Sequence, residues 1–454
     1  MRRPERPAAG PRLVRAFSRL LVATFYRQVE VVGAERLPAG GPVIVAANHH
    51  NALVDPMLLI AAARRPLVPL AKAPLFRHPL IAPFLRLVGA IPVHRRGDPG
   101  AEPASSVRLF QHAAAALADG RALLIFPEGT SQARPVLLPL RTGAARMLLE
   151  AEAGHGGRLG VRLVPAGLVY HEPGRFRAGR ARVAFGDAVD TADCIALYEA
   201  DGVQAVRRLT DRLAERLRAL IVEADDRETL RLLAILEAMA REEASPSADA
   251  AARAEWMRQA MRAYRWLHAE SPARVEGFRH RVERHVKALA QAGLAPDRPI
   301  PTAATAAAWR QIARDGAALV LGLPLAAAGM ALHGPAYALT RLARALLPHE
   351  PDEQATYALA AGSVLYPLVW AAETWLAWRL GGPAAVALLL AALPLTGFFA
   401  LGWRDRLQSF TLDSRALLHT VLDPSLTEHL HTQRRALLAE MTTLARSVPS
   451  DLLT

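Results

Sequence analysis

The chain has 454 residues, 52% of them apolar and 21% charged. That length allows two or three domains with full cores, and so large a charged share excludes a protein that is membrane-embedded throughout. The formal net charge of +13 favours anionic partners such as phospholipid surfaces or phosphorylated substrates; no basic block interleaves with aromatics and no zinc spacing occurs, so nucleic acid is not an expected partner.

In chain order, the basic N-terminus has an apolar run interrupted by Arg15, Arg19 and Arg27, which does not make a signal peptide. Residues 1–28 read as an amphipathic helix lying on a membrane surface, or as a plain packing helix of the domain that follows. Residues 29–220 alternate short β-rich runs with helical stretches. Strands are expected at 29–38, 41–48, 65–72, 90–95, 121–126 and 161–170, with helices at 56–63, 79–89, 107–120 and 141–153. This succession predicts an α/β domain with a mostly parallel sheet. The lone cysteine, Cys194, allows no disulfide within the chain, fits a reducing compartment, and with no histidine nearby reads as packing. Residues 221–310 turn to helical periodicity rich in Arg, Glu and Ala, with a linker or turn at 242–252. Within 311–410 the segments 316–340, 354–372 and 380–403 are free of Asp, Glu, Lys and Arg. Each is long enough to cross ~30 Å of hydrocarbon, so two to three transmembrane helices are expected, with Trp370, Trp375, Trp378 and Trp403 near their ends. Residues 411–454 form a helical tail. Flanking arginines at several ends leave the topology open.

Two stretches carry chemistry. NHHNALVDP (48–56) ends one predicted strand. A neutral imidazole takes a proton from a hydroxyl near pH 7, and a carboxylate on its other nitrogen fixes the tautomer. His50 and Asp55 stand five positions apart, which in a regular helix would turn the side chains about 140° from each other. The pairing therefore needs a non-helical turn, which Asn48 to Asn51 supply, with Asp55-Pro56 opening a helix as cap and first residue. By residues alone a capping Asp and two surface histidines explain the stretch as well. FPEGTS (126–131) ends another strand. Gly129 allows close backbone approach to a ligand, Thr130 adds a donor, and Glu128 suits a ligand hydroxyl or a basic residue. Both motifs fall at carboxyl ends of strands, where open sheets place ligands. No ordered metal-ligand spacing appears, so no metal is expected.

The set NHHNALVD, GAIPVHR (89–95), FPEGTS and VPAGLVY (164–170), in that order, resembles the four sequence blocks of the glycerolipid acyltransferase family. Its members acylate glycerol 3-phosphate, dihydroxyacetone phosphate or lysophosphatidate. The resemblance covers about residues 28–220, and LLPLRTGAARM (137–147) with hydrophobic helices after the domain looks like the glycerol-3-phosphate/dihydroxyacetone-phosphate type. The family's first block, His-x4-Asp, falls on His50 and Asp55, with His49 one place early and read as structural. The resemblance implies His50 as general base oriented by Asp55, and Arg95 as the phosphate contact with Arg96 beside it. Glu128, Gly129, Thr130, Asn51 and Lys72 help bind substrate, Arg77 lies on the surface, and Asp187 is structural. It implies an acyl thioester donor, acyl-CoA or acyl carrier protein, and no cofactor. The partners implied are that donor, a glycerol-phosphate-type acceptor and an anionic membrane, here the bacterial inner membrane with the domain on its cytoplasmic face. A lysophosphatidate or other lysolipid acceptor is the alternative, and a non-catalytic membrane scaffold a further one.

Overall fold

The computed structural model describes residues 9–79, 81–94, 103–171, 176–177, 180–244, 250–298, 300–301, 303–347 and 353–452. The chain divides into two compact units, Met1–Glu223 with Pro348–Ala360, and Ala224–Leu347 with Ala361–Thr454.

The first unit is a three-layer α/β/α sandwich. Its elements are α1 (Ala9–Phe25), β1 (Gln28–Val32), β2 (Val43–Ala47), α2 (Val54–Ala62), β3 (Leu67–Lys72), α3 (Ala82–Val88), β4 (Ile91–Val93), α4 (Pro103–Ala118), β5 (Ala122–Ile125), α5 (Gly143–Ala153), β6 (Arg162–His171), β7 (Arg180–Phe185), α6 (Ala192–Tyr198) and α7 (Gly202–Arg218). The seven strands run β1-β7-β6-β2-β5-β3-β4. Every pairing is parallel except β6–β7, so the sheet is mostly parallel as its alternating pattern predicts.

Strand side chains alternate between faces, and the apolar sequence of β2 buries both. Val43, Val45 and Ala47 join one core with Val14 and Phe25 of α1 and Leu58 and Leu59 of α2. Ile44 and Ala46 join the other, with Leu117 of α4, Leu148 of α5 and Leu213 of α7. Cys194 is buried in this second core, where burial raises its thiol above the ordinary range. Helix α1 buries Val14, Ser18, Val22 and Phe25, and leaves Leu13, Phe17 and Leu20 exposed on its other side. The segment 353–360, far along the chain, completes the first core: Ala355 is buried in it, and Thr356 Oγ1 accepts from Leu53 N at 3.1 Å.

The second unit is helical: α8 (Arg227–Ala244), α9 (Ala250–Glu270), α10 (Pro272–Gln291), α11 (Ala306–Leu346), α12 (Gln354–Leu422) and α13 (Pro424–Arg446). The expected linker at 242–252 falls between α8 and α9; residues 245–249 lie outside the described set. Helices α10 and α13 are tied by Arg281 to Glu440, and His285 Nδ1 meets Gln433 Oε1 at 3.1 Å.

Helices α11 and α12 are each long and apolar enough to cross a membrane. Leu321, Leu380 and Leu388 are about four-fifths exposed or nearly so, which no water-facing core helix would tolerate in such number. The helix α11 runs unbroken through His333, Gly334 and Pro335. The runs 354–372 and 380–403 lie in one helix, α12, broken at Gly382, which has φ 62° and ψ −155° before Pro383. The break reverses the chain. His333 Nε2 meets Leu393 O at 3.0 Å and its Nδ1 receives the Trp370 indole N–H at 3.3 Å. In a straight helix 23 residues would separate Trp370 from Leu393 by about 34 Å, so the two arms fold back on each other around His333. Trp403 likewise donates to Leu319 O at 2.9 Å. Two of the four expected interfacial indoles are thus spent inside the bundle, because a sheltered indole N–H needs an acceptor.

Candidate active site

The register of the sheet sets the site. Ala46 of β2 lies opposite Ile125 of β5, so three residues on His49 and Glu128 emerge level at the carboxyl edge. Lys72 pairs with Val93 at the same edge and is exposed. Asn48 continues the sheet with its side chain: Nδ2 donates to Leu168 O at 2.9 Å and Oδ1 accepts from Leu168 N at 2.7 Å.

Beyond Asn48 the chain wraps around one carboxylate. Asp55 is fully buried. Its Oδ2 accepts from His49 Nδ1 at 2.8 Å, His50 N at 2.7 Å and Asn51 N at 2.8 Å. Its Oδ1 accepts from the Tyr170 hydroxyl. A carboxylate partner makes His49 Nδ1 the protonated nitrogen, so Nε2 carries the lone pair. The expected ring pairing of His50 with Asp55 does not form. The His50 ring turns to Gln132 O, 3.3 Å from Nδ1, and only its backbone N–H reaches Asp55. The physical reason lies in the turn: Ala52 takes φ 29°, a left-handed value, and the tight curl brings the residue before His50 onto the carboxylate. Nor does Asp55 cap a helix. Leu53 is the N-cap of α2, and the Asp55 side chain folds back over the turn instead.

The second motif and Gln132, the residue after it, hold His49 at three points. Glu128 Oε1 accepts from His49 N at 2.7 Å, Gln132 N donates to His49 O at 3.2 Å, and the Phe126 ring stacks on the imidazole at 4.1 Å between centroids. Glu128 Oε2 accepts from Leu138 N at 2.9 Å. Asn51 is buried and its Nδ2 donates to the Tyr26 hydroxyl at 3.0 Å. Tyr26 and Tyr170 lie 5.8 Å apart, and burial, then the Asp55 charge, raise both phenols well above the ordinary range. Gly129 has φ 74°, and the Arg141 side chain lies across it. Thr130 is exposed, with only a 3.4 Å contact from Oγ1 to Ser131 O. Asp187 pairs with Arg36 at 3.3 Å on the surface, and Arg77 is exposed. Arg95 and Arg96 lie outside the described residues. No group of three or more His, Cys, Asp or Glu side chains gathers as a metal set among the described residues.

His49, Asp55, Glu128 and Asn51 are therefore brought together, with Tyr26 and Tyr170, which pattern reading passed over. Nothing in the spacing of Tyr26 or Tyr170 marks them; Tyr170 is placed by the register of β6 and Tyr26 by the turn that follows α1.

Burial drives the Glu128 carboxyl up to about 7, against the opposing pull of the Leu138 and His49 N–H groups. The folded state then holds this proton more tightly than the unfolded chain. The stabilisation is fully present below pH 4.5 and is lost as pH rises through about 7. The shift corresponds to about 3 kcal/mol. Relative to Glu128→Gln, the wild type will lose stability by this amount between pH 4.5 and 8, read as the pH dependence of the difference in unfolding midpoint. A pH-independent difference would show that Glu128 ionises normally.

Comparison with known proteins gives the site its family. The family model described as "Acyltransferase" matches residues 28–169. An uncharacterized acyltransferase of Schizosaccharomyces pombe is 27% identical over 300 residues, covering 47% of this chain and 44% of that protein. Glycerol-3-phosphate O-acyltransferase 1 of Saccharomyces cerevisiae is 37% identical over 126 residues, covering 27% and 16%. The 1-acyl-sn-glycerol-3-phosphate acyltransferase of Borreliella burgdorferi is 33% identical over 123 residues, covering 27% and 47%. Each match spans less than half of the relative's own length, and the relatives come from yeasts as well as bacteria. Residues 28–169, which hold the first three sequence blocks, most of the fourth and the His49–Asp55 pair, match the acyltransferase family model.

Proposed function

We propose that the chain transfers a fatty acyl group from an acyl thioester to a hydroxyl of a glycerol-phosphate-type acceptor. The observation that carries this reading is the His49–Asp55 pair, held at the sheet edge within an acyltransferase-family domain. In this reading His49 Nε2 takes the proton of the acceptor hydroxyl. The oxygen attacks the thioester carbonyl, forming the ester C–O bond. The C–S bond breaks, and the thiol leaves with the proton His49 had taken. Asp55 stabilises the intervening imidazolium. No acyl-enzyme is needed, which agrees with the burial of Cys194. Lys72, Glu128, Gly129, Thr130 and Asn51 are proposed to shape the acceptor site, and Arg95 is proposed as a phosphate contact.

The acceptor is ionic and the acyl chain apolar, so the reaction belongs at a membrane interface. The exposed apolar helices α11 and α12 support that placement, and the cytosolic origin of acyl thioesters supports a cytoplasmic-facing domain. The two activities named among the relatives are glycerol-3-phosphate and 1-acylglycerol-3-phosphate acylation, and either fits this site. The test is acyl transfer by purified protein in mixed micelles, with palmitoyl-CoA and each of glycerol 3-phosphate, dihydroxyacetone phosphate and lysophosphatidate. Ester formation with one of them names the acceptor; silence with all three, in a folded preparation, rejects the proposal.

A further inference from the structure

Gly129 has no side chain, and Arg141 uses the space. A Cβ built on Gly129 would lie 2.5 Å from Arg141 Nε, 2.8 Å from its Cδ and 3.2 Å from its Cζ. The stem and guanidinium thus lie flat against the turn that carries Glu128. The base of the side chain is fixed to the same turn, since Arg141 N donates to Pro127 O at 2.8 Å. Glu128 is not its counter-ion: both Glu128 oxygens are taken by backbone N–H groups of His49 and Leu138. Among the described residues no carboxylate pairs with Arg141, whereas Arg212 pairs with Asp193 and Arg281 with Glu440. Arg141 is exposed at the carboxyl edge of the sheet.

We infer that Arg141 binds a phosphate monoester of the substrate, and that this phosphate is the acceptor's. The inference rests on the acyl-transfer reading above. A guanidinium offers a planar fork to a phosphate dianion, and an arginine held against the Gly129 turn without an acidic partner keeps that fork available. Geometry favours the acceptor over the donor. In a glycerol-phosphate acceptor the hydroxyl and the phosphorus are only a few bonds apart. The hydroxyl must reach His49, whose backbone is bonded to the residue next to Gly129. The phosphates of a CoA donor sit at the far end of a long pantetheine arm.

The experiment uses the full chain in mixed micelles, as wild type, Arg141→Gln and Arg141→Lys. Loss of a charged hydrogen-bonded pair predicts an acceptor KM raised about tenfold to a hundredfold in Arg141→Gln, with Arg141→Lys between. The KM for palmitoyl-CoA and that for a phosphate-free palmitoyl thioester of N-acetylcysteamine stay as in the wild type. An unchanged acceptor KM overturns the inference and leaves the acyl-transfer reading intact. A rise confined to the CoA donor overturns it too, assigning Arg141 to the donor's phosphate. Binding of inorganic phosphate, followed by 31P NMR, is independent of turnover. If the wild type acylates none of the acceptors, the acyl-transfer reading fails by itself. Phosphate binding that weakens in Arg141→Gln then still upholds the anion site, and binding that Arg141→Gln leaves unchanged overturns it. Matching unfolding midpoints for the three proteins guard against misfolding.

Discussion

His49→Ala will lower turnover at saturating substrate by about a hundredfold or more, the scale of general-base catalysis, while His50→Ala will stay within about tenfold of the wild type, since its ring is not the one on Asp55 and alanine keeps the backbone bond to that carboxylate. The difference comes from the ring nitrogens. His49 has Nδ1 on Asp55 at 2.8 Å, its ring braced by Phe126 and its backbone by Glu128 and Gln132. His50 contributes to Asp55 only through its N–H, which alanine retains. Its own ring bond to Gln132 O is long, at 3.3 Å. The measurement is kcat for both variants with the acceptor the wild type prefers. Equal losses in the two would remove the distinction drawn from the geometry, and full activity in His49→Ala would send the search for a base elsewhere.

Asp55 predicts a second large effect with a sharper signature. Asp55→Asn will fold nearly as well as the wild type yet lose about 10³- to 10⁴-fold in kcat, the scale seen when the carboxylate of a His–Asp pair becomes an amide. The amide oxygen is able to face the three donors from His49, His50 and Asn51. The amide nitrogen then faces the Tyr170 hydroxyl, which rotates to accept. Geometry survives while the charge that stabilises an imidazolium is gone. Asp55→Ala strips every acceptor from these buried donors, each costing about 1–3 kcal/mol, and will lose stability together with activity. Comparing kcat with the unfolding midpoint separates the cases. An asparagine variant as destabilised as the alanine one would mean that Asp55 is chiefly structural.

Much of this site is legible before any coordinates. The apolar runs at 41–48 and 121–126 form neighbouring buried strands β2 and β5, because a sheet covered on both faces demands continuous apolar sequence. Their motifs then meet at the carboxyl edge. The identity of the histidine is not legible. Spacing counts residues, whereas the turn at Ala52 decides which ring reaches Asp55, and a left-handed φ at an alanine leaves no mark in composition. The helix-cap reading of Asp55 failed for a related reason: a carboxylate near a helix start satisfies either the helix or the turn before it, and here buried N–H groups of His50 and Asn51 claim it. The sequence suits Glu128 to a ligand or a basic residue, yet it bonds two backbone N–H groups, partners that no side-chain pattern encodes. The apolar C-terminal runs were visible as lengths, but not the reversal at Gly382, where a single dihedral pair splits one helix into two arms.

The segment that completes the first core has a consequence for the order of synthesis. Ala355 and Thr356 belong to the catalytic unit, yet Glu223 marks the end of that unit's long stretch, and α11 is translated in between. At roughly 5–20 residues per second, the ribosome delivers the closing segment on the order of ten seconds after the sheet is complete, and only once the first apolar helix has emerged. Until then Leu53 N lacks the Thr356 hydroxyl and the first core is open where Ala355 fits. The nascent domain is therefore finished by the stretch that opens α12, which follows the long apolar helix α11 in the chain.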